Sequence, residues 1–448
     1  MTDLAHIFKA YDVRGKVGSE LTPEVASGIG RALADWLPDA GPIAVGRDMR
    51  PDSAELVAAM IEGLRQQGRD VWDIGEVTSD MIYFAVGQYE LAGGAMITAS
   101  HNPGEYNGIK FCRSGAQPIG EESGLFDIRD RFLQKNFDKS TRLGKVQKKD
   151  IVEGWISHVL TFVDSAKLRP LKIVVDAGNG MAGKIFPELE PYVPFEVTEL
   201  YFDLDGTFPN HIANPLEPKN LVDLQQAIRQ TRSDAGVAFD GDGDRAVLID
   251  ENGEPLTGTV MSALLADYFL KQNPKATILL NAICGRAAVE IIEKSGGKVV
   301  RTRVGHSFIK ADMRTHNAVF AGEHSGHYYF KNNFKADSGL IAAVVALFIL
   351  SNSKKSLSAL IDPFRKAHVQ IPETNFEVED KQAVIDRIAD TFADGEQTTL
   401  DGLTVTYTDS WFNVRPSNTE PLLRLNAEAG SRAKLDSLVA KVTKLING

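Results

Sequence analysis

Ala95-Met96-Ile97-Thr98-Ala99-Ser100-His101-Asn102-Pro103 carries the chain from an apolar, strand-like run into a polar loop that closes on a turn-forming Asn-Pro. A buried strand that opens into Ser-His-Asn presents a hydroxyl at the carboxyl end of a sheet, where open α/β proteins gather their ligands. A free serine hydroxyl is a weak nucleophile, whereas a serine carrying a phosphoryl group is a donor to an incoming hydroxyl. Standing alone, the same stretch is equally a surface turn, because Ser and Asn bond their local backbone and Asn-Pro favours turns. The rest of the chain has to decide.

Working outward, the same order of events occurs three times: an apolar run, a helical pattern, a second strand, and a third strand that ends in a polar cluster. The opening runs are Ile43-Ala44-Val45, Ile173-Val174-Val175 and Ile278-Leu279-Leu280. The third strands are Ala95-Met96-Ile97 before Ser100, Val237-Ala238-Phe239 before Asp240-Gly241-Asp242-Gly243-Asp244, and Ala318-Val319-Phe320-Ala321 before Gly322-Glu323-His324-Ser325. Strands alternating with helices predict α/β domains with mainly parallel sheets, whose three polar strand ends can face one cleft. From Glu373 the pattern breaks. A helix near Lys381 to Phe392, strands at Leu403-Tyr407, Trp411-Val414 and Leu422-Asn426, and an amphipathic helix from Ala433 to Ile446 predict an α+β domain. Expected domains are therefore 1–149, 150–250, 251–372 and 373–448.

The 448 residues are 43% apolar and 24% charged, the balance of a soluble globular protein. No N-terminal basic-then-apolar pattern is present, and the longest apolar run, Leu340 to Leu350, is short of the roughly 18 residues of a membrane span, so a cytoplasmic location is expected. Cys112 and Cys284 are too few for a disulfide framework or a cysteine zinc site. A net charge of −11 without a Lys/Arg block argues against general nucleic-acid binding, although a local pocket for a small anion is hidden in that sum.

Asp240-Gly241-Asp242-Gly243-Asp244 places carboxylates at alternate positions, so that an extended backbone projects them to one side, and the glycines permit close approach. Three such groups suit a hard dication, and magnesium fits if a phosphate completes its octahedral oxygen shell. A calcium loop is the competitor, since Glu251 falls at its twelfth position. Arg245 replaces the sixth-position glycine, however, and the flanks read as strands where helices are required. Glu323, Ser325 and His327, with His324, form a dense hydrogen-bonding set suited to a polyhydroxylated ligand, a zinc site or a plain polar loop. Arg415-Pro416-Ser417-Asn418-Thr419-Glu420-Pro421, with Arg424 beyond, has the chemistry of a phosphate cradle or of a surface turn with a paired arginine.

Taken in order, Thr98 to Pro103, Asp240 to Arg245, Gly322 to His327 and Arg415 to Pro421 resemble the α-D-phosphohexomutase superfamily, within it the bacterial phosphomannomutase/phosphoglucomutase group. The resemblance spans essentially the whole chain and implies three similar α/β domains plus a C-terminal α+β domain around a central cleft. It implies that Ser100 carries the phosphoryl group, that Asp240, Asp242 and Asp244 hold Mg2+ together with an oxygen of that phosphate, and that a hexose 1,6-bisphosphate activates the enzyme. Lys110 matches the family's candidate base, and His306 a second proton-transfer group. His101 and Arg245 flank the serine as cations that would help lower the Lys110 pKa. Tyr11 and Arg14 match active-site contacts, Glu323, Ser325 and His327 the sugar contacts, and Arg415, Ser417, Asn418, Thr419 and Arg424 the phosphate contacts.

One departure stands out. Where relatives often present a lysine after the first strand of the third unit, this chain has Asn281-Ala282-Ile283-Cys284-Gly285-Arg286, leaving Arg286 to substitute or the substrate one contact short. Asn418 and the second histidine of Glu-His-Ser-Gly-His favour a hexose phosphate of the mannose series, ahead of dual mannose/glucose use and of glucosamine. A phosphatase and a non-catalytic sugar-phosphate sensor are the readings of other classes.

Overall fold

Each of the three apolar runs that open a repeat forms the strand around which its sheet is laid, in a computed structural model that describes residues 4–138, 140–417 and 422–448, without the side chains of 366 and 367. Ile43–Arg47 lies between Val71–Glu76 and Gly93–Ile97, parallel to both. Leu171–Asp176 lies likewise between Phe195–Leu200 and Ala235–Phe239, and Thr277–Asn281 between Lys298–Thr302 and Phe320–Gly322. The predicted repeat is thus present three times with one topology. A helical crossover between parallel strands enforces it, returning the chain beside the strand it left.

Two compact units divide the chain: the part up to Leu256 together with Ser325–Ser358, and Thr257–His324 together with Ala359–Gly448. In the first unit, Tyr106–Arg113 adds antiparallel to Gly93–Ile97, and Val13–Lys16 adds antiparallel to Tyr106–Arg113. The sequence reading placed no strand at either. In Tyr-Asn-Gly-Ile-Lys-Phe-Cys-Arg the apolar alternation is broken by Asn107 and Lys110, which are nevertheless buried. The second sheet of this unit ends in an antiparallel hairpin, Ala235–Phe239 with Ala246–Asp250, in register Phe239 opposite Ala246. The long apolar run is the helix Gly339–Ser351, buried along most of its length and packed on Ala246–Asp250 and on the helix Val152–Leu160. A helix apolar on every side is a core helix here. Among the described residues no helix is long and apolar enough to cross a membrane.

In the second unit the helix Gly258–Gln272 starts on Thr257, whose hydroxyl accepts from Val260 N at 3.3 Å, and packs beside the helix Arg286–Lys294 and the strand Phe320–Gly322. The C-terminal portion is an antiparallel sheet in the order Val369–Gln370, Leu422–Ala429, Ser410–Pro416, Leu403–Thr406, Glu396–Thr398, with Thr374–Glu377 also on Leu422–Ala429. Helices Lys381–Thr391 and Arg432–Asn447 bury Ile388, Leu435 and Val442 against Val405, Phe412, Val414, Leu423 and Leu425. This is the predicted α+β arrangement.

Candidate active site

Ser100 follows Gly93–Ile97 by three residues and takes φ +51°, a left-handed conformation that costs a non-glycine residue roughly 1–3 kcal/mol. Local bonds compensate: Ser100 N donates to Thr98 Oγ1 at 2.9 Å and Asn102 N to Ala99 O at 3.0 Å. The Ser100 hydroxyl donates to Asp240 Oδ2 at 2.7 Å and lies 3.1 Å from His101 Nδ1. The acidic loop comes this close because position 241 has no side chain, as a Cβ there would lie 2.5 Å from the Ser100 carbonyl oxygen.

The hairpin Ala235–Phe239/Ala246–Asp250 carries Asp240, Asp242 and Asp244 at its tip, all buried, with one carboxylate oxygen from each within 4.8 Å of the others. Strand flanks, not helices, settle the calcium-loop question. Glu251, the supposed twelfth ligand, instead accepts from Ser358 N and Oγ. Two cations answer the three acids. Arg245 donates from Nε to Asp240 Oδ2 at 2.9 Å, and Lys110 donates from Nζ to Asp242 Oδ2 and Asp244 Oδ2, both at 2.6 Å. Burial, reinforced by Asp244 and Asp242, pushes the Asp240 carboxyl up to about 7. Burial works the same way on Asp242 and Asp244, but the Lys110 ammonium outweighs it and holds both below the usual range.

The expectation for Lys110 is reversed. Burial disfavours its charge, yet Asp242 and Asp244 hold its pKa well above the ordinary value. His101 is not a cation either: packing around the ring and then Arg245 push its pKa well down, and Arg245 Nη2 hydrogen-bonds its Nδ1. The expected influence of His101 and Arg245 is outweighed at Lys110 by the carboxylates of Asp242 and Asp244.

An all-oxygen donor set, a buried Asp242 Oδ1 with no hydrogen-bond partner among the described residues, and an ammonium lodged between two carboxylates are the marks of a place for a hard cation. Ser79, which the sequence reading missed, donates its hydroxyl to Asp242 Oδ2 and its backbone N–H to Asp242 O.

The same unit holds further predicted residues. Arg14 donates to Asn102 Oδ1 and Asp12 Oδ2, and Tyr11 is half-buried in the bend before Val13–Lys16. Ser325 Oγ lies 3.0 Å from His327 Nδ1, and His327 Nε2 lies 3.5 Å from Asp244 Oδ1. His327 therefore touches the carboxylate cluster, a contact its place in the predicted sugar loop did not suggest.

The second unit holds the remaining candidates. Buried Glu323 accepts from Asn281 Nδ2 at 3.2 Å and from Gly305 N at 3.3 Å, which puts it beside the backbone that leads into His306. On the C-terminal sheet Arg415 and Arg424 are direct cross-strand partners, an arrangement of like charges that destabilises unless an anion intervenes. Glu373 is that anion: Arg415 Nη2 donates to its Oε2 at 2.9 Å, Arg424 Nη1 to its Oε1 at 2.8 Å, and Asn426 Nδ2 to Oε2 at 3.0 Å. Burial would raise the Glu373 pKa, but Arg415 and these donors hold it below the usual value. Arg415 Nε is buried without a partner among the described residues. Ser417 N donates to Leu422 O, while Asn418 and Thr419 lie outside the described residues.

Arg286 does not stand in for the missing lysine. Its guanidinium donates to the carbonyls of Tyr407, Thr408 and Ser410, and its backbone N–H to Glu428, so it ties the helix Arg286–Lys294 to the C-terminal sheet. Ile283 is buried.

Comparison with known proteins bears on all four segments. Descriptions of phosphoglucomutase/phosphomannomutase alpha/beta/alpha domains I, II and III match residues 5–139, 153–253 and 257–367, and that of the C-terminal domain matches 373–445. The chain belongs to the phosphoglucomutase/phosphomannomutase family. It is a phosphohexomutase, an isomerase of the α-D-phosphohexomutase superfamily. Among curated relatives it is 39% identical to "Phosphohexose mutases" of Xanthomonas campestris pv. campestris, over 98% of this chain and 99% of that one. It is 36% identical to a phosphomannomutase of Vibrio cholerae serotype O1, over 98% of each. A crystal structure of a phosphoglucomutase/phosphomannomutase family protein from Burkholderia thailandensis superposes with TM-score 0.90 at 33% identity, covering 99% of this chain and 97% of that one.

Proposed function

We propose that this phosphohexomutase interconverts mannose 6-phosphate and mannose 1-phosphate through phosphoserine 100 and a hexose 1,6-bisphosphate. The observation that carries the reading is the Ser100 hydroxyl, 2.7 Å from Asp240 in a buried group of three carboxylates and beside Arg245. In the first step the bond from phosphorus to Ser100 Oγ breaks, a bond to the free sugar hydroxyl oxygen forms, the hydroxyl proton passes to a base, and the departing Ser100 oxygen takes up a proton. The bisphosphate then turns and returns its other phosphoryl group to Ser100 Oγ, whose proton goes to the base while the released sugar oxygen takes one up, so that the phosphate has moved between positions 6 and 1 with no net gain or loss.

Asp240, Asp242 and Asp244, with an oxygen of the serine phosphate, would hold Mg2+, whose chemistry is to neutralise charge on the transferring group. Arg245 donates where that charge develops. Lys110 takes the proton only when its ammonium is released from Asp242 and Asp244; His306 is the second candidate, and neutral His101 stands beside the serine and steadies Arg245 through Nδ1. Glu323, Ser325 and His327 receive the sugar hydroxyls. Arg415, Ser417, Asn418, Thr419 and Arg424 receive the phosphate not being transferred, with Tyr11 and Arg14 beside the serine. Two guanidiniums against one carboxylate favour an anion there.

The test is kcat/KM for mannose, glucose and glucosamine phosphates with Mg2+ and a trace of the matching 1,6-bisphosphate. Mannose should lead, glucose within tenfold of it defines dual use, and glucosamine in front overturns the substrate. Ser100→Ala should lose turnover by about 10⁴-fold or more while still binding the sugar phosphate. Equal turnover in that variant removes the phosphoserine step.

A further inference from the structure

Arg50 is among the largest fully buried side chains of the protein, yet it lies on the loop after Ile43–Arg47, fifty positions before the serine. Its guanidinium is spent on the backbone of the serine loop. Nη2 donates to the carbonyls of Ser100 and Asn102, and Nη1 to those of Pro103 and Tyr106, at 2.5–2.9 Å. The planar fork of five donors reaches four carbonyls at once, which a lysine ammonium with three donors cannot do.

A second arm starts from the same residue. Arg50 Nε lies 3.3 Å from Asp48 Oδ2, and Asp48 Oδ1 accepts from Arg50 N and from Ser53 Oγ. The pair therefore holds Ser100 at its C=O, while Thr98 Oγ1 accepts from its N–H. Phe208 covers the guanidinium, with the ring centroid 5.3 Å from Cζ, and a Cβ on Gly206 would come within 2.5 Å of the Arg50 Cα. The side chain is closed off from water in this place. Because Gly241 of the carboxylate loop lies against the same Ser100 carbonyl, whatever fixes that carbonyl also fixes the distance from the serine oxygen to Asp240.

We propose that Arg50, with Asp48, is a positioning residue for phosphoryl transfer, clamping the serine loop in its left-handed conformation so that the Ser100 oxygen stays in line with the carboxylate centre. This rests on the phosphoserine reading of Ser100. Displacement of a reacting atom by about 1 Å costs on the order of 10²-fold in rate, and of the residues proposed to bind the sugar phosphate only Arg14 bonds the loop that Arg50 holds, through Asn102.

The experiment compares the full-length wild type, Ser100→Ala, Arg50→Lys and Asp48→Asn for mutase kcat and KM, phosphoserine content by intact mass, and Tm. Arg50→Lys should lose kcat by about 10²-fold with KM within twofold and phosphoserine content near that of the wild type. Asp48→Asn keeps the shape of the pair and should show the same split with a loss of about tenfold. A merely structural role would lower Tm and the phosphorylated fraction together and leave kcat per phosphorylated site unchanged. That result in either variant overturns the proposal, as does an unchanged kcat. If the wild type itself turns over no hexose phosphate, or Ser100→Ala matches it, the phosphoserine reading fails first, and the proposal with it.

Discussion

Around Ser100 three carboxylates meet two cations, whereas around Glu373 two guanidiniums meet one carboxylate. Both groups are assembled from distant segments, and both sit on the end or edge of a sheet, but their charge imbalance is opposite. In the first, burial leaves Asp240 near 7, so a proton or a dication can adjust the total. In the second, Glu373 stays ionised and pins the two arginines in one orientation. Fixed charges in a poorly solvated place attract what they lack far more strongly than the same charges in water. The proposed function, in which one phosphoryl group moves while a second phosphate is held, calls for one centre of each sign, and this chain builds each on its own framework.

Substitutions can break that contrast. The largest effect is expected from Asp242→Asn, which removes one of the three acids and one partner of Lys110. The kcat should fall by about 10²–10³-fold at fixed magnesium and recover in part as magnesium is raised. An unchanged magnesium dependence takes Asp242 out of the metal group. Next, Arg415→Met should raise KM by about 10–100-fold with a smaller change in kcat, the worth of a charge-assisted bond to a phosphate held before and after transfer. A pure kcat defect would move Arg415 from holding to chemistry.

Smaller still is a stability effect. The folded-state pKa of Glu373 lies below its unfolded value of 4.5, so its contribution is fully present above pH 4.5 and is lost as pH falls through the folded value. Glu373→Gln should therefore cost about 1–3 kcal/mol at pH 7 in denaturant titrations, with the gap from wild type closing below about pH 4.5. A gap that does not narrow at all as pH falls from 7 through the acid range would show that packing, not charge, is what Glu373 supplies. The smallest effect is expected at Glu251→Gln: magnesium dependence of turnover within about twofold of wild type, since its carboxylate holds Ser358 and no loop cation. A tenfold shift would reopen the calcium-type loop.

The serine loop and the acidic loop were legible because their chemistry is local: alternate aspartates between two strand-like runs, and a serine just past a buried strand. The threefold topology was legible because apolar runs, helical patterns and polar loops recur in one order. Glu373 was not, since nothing in Ile-Pro-Glu-Thr marks it until the sheet sets Arg415 across from Arg424. The direction of the Lys110 shift was misread for the same reason: its partners are brought by the hairpin tip, not by its neighbours in sequence. The choice between Arg286 and one contact fewer stayed open because a guanidinium at a helix start suits a ligand and a backbone carbonyl equally well.

The chain passes from one unit to the other three times, after Leu256, His324 and Ser358. A nascent chain that has just delivered Leu256 from the ribosome lacks the helix Gly339–Ser351, and the face of the strand Ala246–Asp250 that this helix covers stays bare until it arrives. At roughly 5–20 residues per second the wait lasts several seconds, long enough for an exposed apolar strand to seek other company. Gly339 also lies against the Arg245 carbonyl, where a Cβ would come within 2.7 Å, so the carboxylate loop gets its final support only when that helix docks. Neither unit can be cut out of the gene as a single fragment, and the phosphoryl-transfer centre is among the last parts of the first unit to be finished.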